Sequence, residues 1–276
     1  MSQRLSPGII VILTLLAAFV FAAAGADLLA HNHPLRQSLL MRLKPPGTFT
    51  ATTSYPLGTD DLGRDLLARI LYGARASLMV ATLSVSVSLL VGTILGLIAG
   101  WFRGWTEVLA MRLVDSVLSI PAILLAVLTV AVLGPGFLTL VLVLGLTRWP
   151  RYTRVAYAQT LQVVALPYIR AAEMAGCGPL RILLRHVLPN IAGPLMVVAT
   201  SEFGLMILFE AGLSFLGLGV QPPTPSWGIM VSTGRTYLLE APHIATFAGL
   251  AIAVTVLGFN LVADGLRDIW DTKLTL

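Results

Sequence analysis

The sequence predicts an all-α membrane protein with about six transmembrane helices. Two features of the composition lead to this fold class: hydrophobic residues form 57% of the 276 positions, and charged residues form only 11%. Soluble domains, by contrast, are about one quarter charged. The third feature is the arrangement of the residues, because long apolar runs alternate with short polar segments. The mean hydropathy of the chain is +0.87.

Six apolar runs are long enough to cross a bilayer, whose hydrocarbon core of about 30 Å takes about 20 residues of helix. They are Gly8–Ala30, Ala76–Gly100, Val108–Leu133, Gly136–Thr153, Ala192–Val220 and Ile244–Ala263. The first run ends in small residues like those of a signal-peptide cleavage region, but its length favours an uncleaved helix. We therefore expect an N-terminal helix at 1–30, an extracytoplasmic loop with an interfacial helix at 31–75, and a core of spans at 76–276 with a polar loop at 155–190.

The basic excess, 18 Lys and Arg against 13 Asp and Glu, fits membrane topology better than nucleic-acid binding. The arginines lie at span ends and in loops instead of forming one solvated stripe. Six spans place both termini on one side, and that side collects more basic residues, which predicts a cytoplasmic N-terminus. The single cysteine, Cys177, allows neither an internal disulfide nor a cysteine metal cluster.

The loop before the second span contains a predicted short helix that leads to Gly73. Thr59 or Asp60 is expected to cap its first amides, and Asp65 is expected to pair with Arg69 four residues later. The apolar side chains of this segment share one face, so the helix is predicted to lie along the membrane surface. A role in contacting a substrate or a receptor is the alternative.

A stripe of small residues recurs every four positions along the second span. It consists of Ser84, Ser88, Gly92, Gly96 and Gly100. Small residues at this spacing allow two membrane helices to approach closely. The stripe therefore predicts helix packing, either inside this chain or against a partner subunit.

Four ionisable residues lie within the predicted spans, where each costs about 2.5–3.5 kcal/mol on insertion scales. Arg112 and Asp115 are three residues apart and are expected to pair with each other. Glu202 and Glu210 are eight residues apart on roughly one face, and their span contains no basic residue. A water-filled translocation path for a polar or cationic solute is one hypothesis for them; pairing with a partner subunit, or a protonated carboxyl, is the other.

Two short helices are predicted in the loop after the fourth span. This loop is expected to begin at three arginines, Arg148, Arg151 and Arg154. Pro167 suits the first position of a helix, and Gly176 suits the left-handed cap that ends one. A second helix is expected to start at Pro179 and to break at Pro189. Because helices this short are marginal in water, a partner is expected to dock on them.

This loop resembles the coupling loop in permease subunits of ATP-binding-cassette importers, which has the pattern EAA-x3-G-x9-I-x-L-P. The matching sequence is Arg170-Ala171-Ala172, three residues, Gly176, nine residues and His186-Val187-Leu188-Pro189. Arg170 replaces the usual Glu and His186 replaces the Ile, while Glu173 can substitute for that Glu only if the helix is rotated. The resemblance implies that the ATPase is contacted by Arg170, Ala171, Ala172, Glu173, Gly176, His186, Leu188 and Pro189.

Further motifs narrow the resemblance to the C-type permease subunit of dipeptide, oligopeptide and nickel importers. They are Gly58–Asp65 with Tyr72–Arg75, Arg185–Asn190, Gly212–Gly217 with Pro222–Gly228, and Asn260–Asp268. The resemblance implies a type I permease fold that moves di- or oligopeptides by alternating access, with nickel or another small solute as the alternative. It also implies a second permease subunit, two cytoplasmic ATPase subunits that bind ATP and Mg²⁺, and an extracytoplasmic binding protein.

The chain itself is predicted to be no enzyme and to bind no cofactor or metal. A phosphate-binding loop needs a Gly-Lys pair, whereas the only lysines, Lys44 and Lys273, follow Leu and Thr. A stand-alone secondary transporter or channel is the rival class; it would use Glu202 and Glu210, needs no docking loop, and often has inverted repeats that this sequence does not display. An intramembrane hydrolase is a weaker rival, because the predicted spans hold no matching set of catalytic groups.

Overall fold

The computed structural model describes residues 23–30, 32–50 and 53–273, together with the isolated positions 14, 17, 20 and 21. Eleven of the 23 positions of the first predicted span, Gly8–Ala30, therefore lie outside the described residues. The end of that span is described and contains a short helix, α1, at Ala26–Leu29.

The remaining elements are almost all helical. In chain order they are a 3₁₀ turn at Leu39–Met41, a two-stranded antiparallel hairpin of β1 (Thr48–Phe49) and β2 (Ser54–Tyr55), and the helices α2 (Leu66–Phe102), α3 (Gly104–Leu118), α4 (Ala122–Leu133), α5 (Phe137–Val164), α6 (Pro167–Met174), α7 (Pro179–Ile182), α8 (Leu188–Phe215), α9 (Trp227–Thr236) and α10 (His243–Lys273). A π-helical turn at Leu183–Val187 joins α7 to α8.

Three of the described helical runs are each long and apolar enough to cross a membrane: α2, the run Pro179–Phe215, and the part of α10 at His243–Asp268. They correspond to the second, fifth and sixth predicted spans, so three of the six predicted spans are confirmed. The fourth predicted span falls within α5, which continues to Val164 through Arg148, Arg151 and Arg154. The arginines therefore lie inside a helix, and the prediction that a loop begins at them is wrong.

The third predicted span, Val108–Leu133, is not one straight helix. It is divided into α3 and α4, which are bent by 85° relative to each other, and the pair amounts to at most one further span. Pro121 stands in the break between them. Proline has no backbone N–H and disfavours helical geometry at the residue before it, which accounts for the break at this point.

Helix α2 is continuous for 37 residues, so the predicted interfacial helix does not end at Gly73. The absence of a side chain at Gly73 serves packing instead. A Cβ atom built there would lie 3.1 Å from Cδ1 of Trp227, whose indole Nε1 donates to the carbonyl of Ile70 at 3.0 Å. The glycine therefore makes room for the buried indole ring.

The prediction that Pro189 breaks the second loop helix is also wrong. Helical backbone continues from Pro179 to Phe215, and Pro189 lies in the first turn of α8. The residues before it form the π-helical turn Leu183–Val187. A proline in a helix clashes with the carbonyl four residues earlier, and a locally wider turn accommodates it without ending the helix.

The chain divides into two compact units, which are described separately. The first comprises Met1–Thr82, Val130–Val141 and Phe203–Leu261, and the second comprises Leu83–Thr129, Leu142–Glu202 and Val262–Leu276. Fully buried side chains of the first unit include Trp227 and Met206, and those of the second include Tyr152 and Ile169.

Candidate functional site

The loop between α5 and α8 has the local structure that its prolines and glycines predict. Pro167 occupies the first turn of α6, and Gly176 has a left-handed φ of +82°. The amide of Cys177 donates to the carbonyl of Ala172 at 3.0 Å, and the amide of Gly176 donates to that of Glu173 at 2.9 Å. These two bonds form a Schellman motif, which satisfies carbonyls left free at the end of a helix.

The loop is held by one buried side chain and by hydrogen bonds to the beginning of α8. Ile169 of α6 is fully buried, and Nδ2 of Asn190 donates to the Tyr168 hydroxyl at 3.1 Å and to the His186 carbonyl at 2.6 Å. The ring of Tyr168 also lies 6.3 Å from that of His186, measured between centroids. Helix α6 is therefore anchored to the beginning of α8.

The other side of the loop is open to solvent. Of the residues predicted to couple to an ATPase, the exposed ones are Arg170, Ala171, Glu173, Gly176 and Pro189, and the partly buried ones are Ala172, His186 and Leu188. Met174, on the same short helix, is 85% exposed. The structure thus presents these residues on a braced surface, and their coupling role stays a prediction.

The small-residue stripe of α2 lies against α5 within the second unit. A Cβ atom at Gly92 would lie 2.5 Å from Cβ of Tyr152, and one at Gly96 would lie 2.5 Å from Cβ of Ala156. Gly100 is similarly close to Thr160, at 2.7 Å from its Cβ. The other two members, Ser84 and Ser88, are buried, and the Ser88 hydroxyl donates to the Gly145 carbonyl at 2.7 Å. At the three glycines, the backbone of α2 therefore packs directly against α5.

Glu202 is neutralised by arginines of another helix. Its Oε2 lies 3.0 Å from Nε of Arg148, and its Oε1 lies 2.7 Å from Nη1 of Arg151, while the carboxylate is fully buried. The sequence offered a translocation path, pairing with a partner subunit or a protonated carboxyl for Glu202; its ion-pair partners are instead arginines of this chain, on another helix. The three-residue spacing of Arg148, Arg151 and Arg154 was the available signal, because it places all three near one face of a helix.

Asp115 pairs with Arg154 at 2.7 Å, so the expected pair of Asp115 with Arg112 is wrong. Within the described part of the chain, Arg112 forms no ion pair. The arginines on α5 border a cavity of about 360 Å³ whose other lining residues are Leu118, Thr147 and Val155. Two of the four residues predicted for a translocation path, Asp115 and Glu202, therefore contact one row of arginines.

Glu210 has a different environment, made of hydroxyl groups. Its carboxylate is fully buried and accepts hydrogen bonds from Ser77 at 2.7 Å, Ser214 at 2.7 Å and Ser226 at 3.3 Å. Ser226 also caps α9 by accepting from the amide of Ile229. Ser77 and Ser226 were not predicted as partners of Glu210. For Ser226, the available signal was its position just before the start of a helix, where serine is a favoured cap.

Carboxylates also fix the loop before α2, with partners that differ from the predicted ones. Asp60 accepts hydrogen bonds from the amide and guanidinium of Arg64 and lies 3.3 Å from Nη1 of Arg69. Asp65 accepts from Asn32 and from the amide of Leu67, both at 3.0 Å. The expected pair of Asp65 with Arg69 is therefore wrong, and the residue that caps α2 is Asp65.

Long apolar helices define a multi-pass membrane protein, and an exposed loop is braced onto one of them. The chain belongs to the family of binding-protein-dependent transport system inner membrane components, whose model matches residues 92–276. It is therefore a multi-pass protein of the bacterial inner membrane.

Two relatives extend this similarity over almost the whole chain. The dipeptide transport system permease protein DppC of Escherichia coli K12 is 45% identical over 268 residues, which cover 97% of this chain and 89% of the relative. The di/tripeptide transport system permease protein DppC of Pseudomonas aeruginosa UCBPP-PA14 is 43% identical over 256 residues, covering 92% and 84%.

Solved structures share the fold at low sequence identity. A chain of the methionine ABC transporter MetNI in an inward-facing conformation matches with a TM-score of 0.58 and 17% identity, over 74% of this chain and 97% of that one. A chain of an amino acid ABC transporter matches with a TM-score of 0.54 and 15% identity, over 72% and 92%. The fold is thus that of ABC importer permeases.

Proposed function

We propose that this chain is the permease subunit of an ATP-driven importer that moves di- and oligopeptides across the inner membrane. The observation that supports this most is the loop at Pro167–Met174 and Gly176, whose braced helix and Schellman cap leave one face free for a partner. The substrate class follows from the relatives, which are named for dipeptide and di/tripeptide transport.

The importer works by alternating access between two packed states. ATPase subunits that close on ATP move the docked helix α6, and the contacts of Tyr168, His186 and Asn190 transmit this movement to α8. The motor favours one state only if it contacts the two states differently. The permease therefore needs a firm joint between α6 and the spans, which these contacts supply.

The complete importer comprises four further chains, which supply three kinds of function. A second permease forms a heterodimer with this one, two cytoplasmic ATPase subunits bind ATP and Mg²⁺, and an extracytoplasmic binding protein delivers the peptide. This chain is then the non-catalytic membrane subunit. The MetNI similarity supports the fold on which such an assembly is built.

The test compares Gly176→Val with Gly178→Val in the reconstituted importer. Gly176 needs a left-handed φ, where a residue with a side chain costs about 1–2 kcal/mol, whereas Gly178 has a φ of −69° that valine adopts. No described atom lies within 4 Å of a Cβ at either position, so the side chains fit equally well.

We expect Gly176→Val to weaken the docking of the ATPase by up to about tenfold, since 1.4 kcal/mol is a factor of ten in an equilibrium constant. Peptide-stimulated ATP hydrolysis should fall as a result, and membrane insertion should stay intact. Gly178→Val is expected to retain hydrolysis. Equal activity of the two variants would remove the coupling role of the loop. Recovery of this chain without any ATPase, in a form that still moves solute in liposomes, would support the secondary-transporter class instead.

A further inference from the structure

The exposed face of the coupling loop, residues 167–190, is basic. Its charged side chains are three arginines, Arg170, Arg181 and Arg185, and one carboxylate, Glu173. All four are exposed. Within the described part of the chain, none of the three arginines forms an ion pair, so their charges are available to a partner.

Apolar side chains stand among these charges. Met174 is 85% exposed, Leu180 is 69% exposed and Leu184 is 54% exposed. Arg170 and Met174 are four residues apart on α6, and are therefore neighbours on its surface. The loop consequently offers apolar side chains flanked by positive charge, a pattern typical of an interface with an apolar centre and a polar rim.

We propose that the ATPase subunit docking on this loop presents an apolar groove with an acidic rim, whose carboxylates face Arg170, Arg181 and Arg185. The proposal rests on the proposed function and adds the chemistry of the partner. It also accounts for Arg170 at the position where the resembling permeases have Glu: the charge of the permease is reversed there, and the partner's charge is reversed with it.

An anionic membrane surface is the other partner that a basic, apolar surface suits. Two features favour a protein. Glu173 is exposed in the same loop and would be repelled by anionic lipid. Ala171 and Ala175 are small and exposed, which lets another backbone approach closely at these two positions.

Complementary charge at a rim acts on partner choice and on the rate of encounter more than on affinity. An exposed ion pair contributes about 0.2–1 kcal/mol, which is about a 1.4- to 5-fold change in the dissociation constant. Three such pairs favour an acidic groove clearly over a neutral one, and disfavour an ATPase whose groove is basic.

The experiment measures how firmly ATPase subunits stay bound to the intact importer as salt is raised from about 0.1 M to about 1 M, where the screening length falls from about 10 Å to about 3 Å. The importer is purified through a tag on this chain. The variants are the triple change Arg170→Gln, Arg181→Gln and Arg185→Gln, and the single change Glu173→Gln, which removes the opposite charge from the same surface. All four side chains are exposed, and elution of each importer from a sizing column verifies that it is folded.

The native importer should lose ATPase as salt rises. The triple variant should bind ATPase several-fold more weakly at low salt and show a flatter salt dependence, whereas Glu173→Gln should bind as tightly as the native chain or more tightly. Binding that is insensitive to salt and to the triple change would overturn the acidic rim.

The proposed function has its own readout, so the two failures are distinguishable. If the acidic rim is absent but the loop couples, Gly176→Val still lowers hydrolysis while the triple variant binds normally. If the basic surface faces the membrane, the triple variant retains ATPase and loses co-purified anionic lipid, an outcome that also overturns the proposal.

Discussion

A single methyl group added at Gly96 is expected to weaken the packing of α2 on α5. The new Cβ would lie 2.5 Å from Cβ of Ala156 and 2.7 Å from the backbone oxygen of Thr153, about 0.9 Å inside the 3.4 Å at which ordinary contact begins. A backbone oxygen has no rotamer to change, so the two helices must separate. Gly92 and Gly100 on either side transmit that separation along the stripe.

The magnitude is obtained by comparison with Gly249→Ala. Both glycines lie inside long helices, so both substitutions gain about 1 kcal/mol of helix propensity. No described atom lies within 4 Å of a Cβ at Gly249, whereas overpacking at Gly96 costs about 1–3 kcal/mol. The difference between the two variants isolates the overlap and should equal about 1–3 kcal/mol.

The assay is thermal unfolding of the purified chain in detergent, followed by loss of the monodisperse peak on a sizing column. A destabilisation of 1 kcal/mol lowers the melting temperature by about 2–4 °C in a domain of this size. Gly96→Ala should therefore melt at least a few degrees below Gly249→Ala. Equal melting temperatures would show that α2 and α5 do not meet at Gly96.

Two further predictions concern buried charge. Glu202→Gln should destabilise the chain because it removes the carboxylate that pairs with the guanidinium of Arg148, which is 19% exposed. Arg151→Gln should cost less, because Arg151 is 55% exposed and screened by solvent. Thermal unfolding of the two variants measures both effects, and a larger loss for Arg151→Gln would refute the ranking. Asp60→Asn should cost about 3–5 kcal/mol because Arg69, 5% exposed, loses its carboxylate; faster proteolysis of the loop before α2 would show this, and an unchanged cleavage rate would contradict it.

Local chemistry explains what the sequence predicted well. Pro167 has its φ preset for a first turn, and glycine is the residue that adopts a left-handed φ without steric cost. Each of these preferences depends on one residue and not on its tertiary contacts, and the structure places α6 and Gly176 as expected. The long apolar helices α2 and α10 follow from the composition of their own segments, because about 20 apolar residues are enough to span a bilayer.

Charge pairing could not be predicted in this way, because it depends on which helix lies opposite. The residues that neutralise Glu202 are about fifty positions away in sequence, and Asp115 selects Arg154 over the nearby Arg112. Spacing along one helix proposes pairs only within that helix. The same limit applies to Asp65. Its spacing predicts a pair with Arg69, but the fold of the loop brings Asp60 to Arg69 instead.

Contacts within the second unit connect helix α6 to a buried charge by a continuous physical route. Tyr168 on α6 meets Asn190 at the start of α8, and fourteen residues of helix α8 starting from Leu188 lead to Glu202. Glu202 is tied in turn to Arg148 and Arg151 on α5. A displacement of α6 would therefore act on the buried carboxylate of Glu202, and separating a buried charge from its partners is costly. Packed cores and interfaces switch between discrete arrangements instead of deforming continuously, and two such arrangements are what alternating access requires.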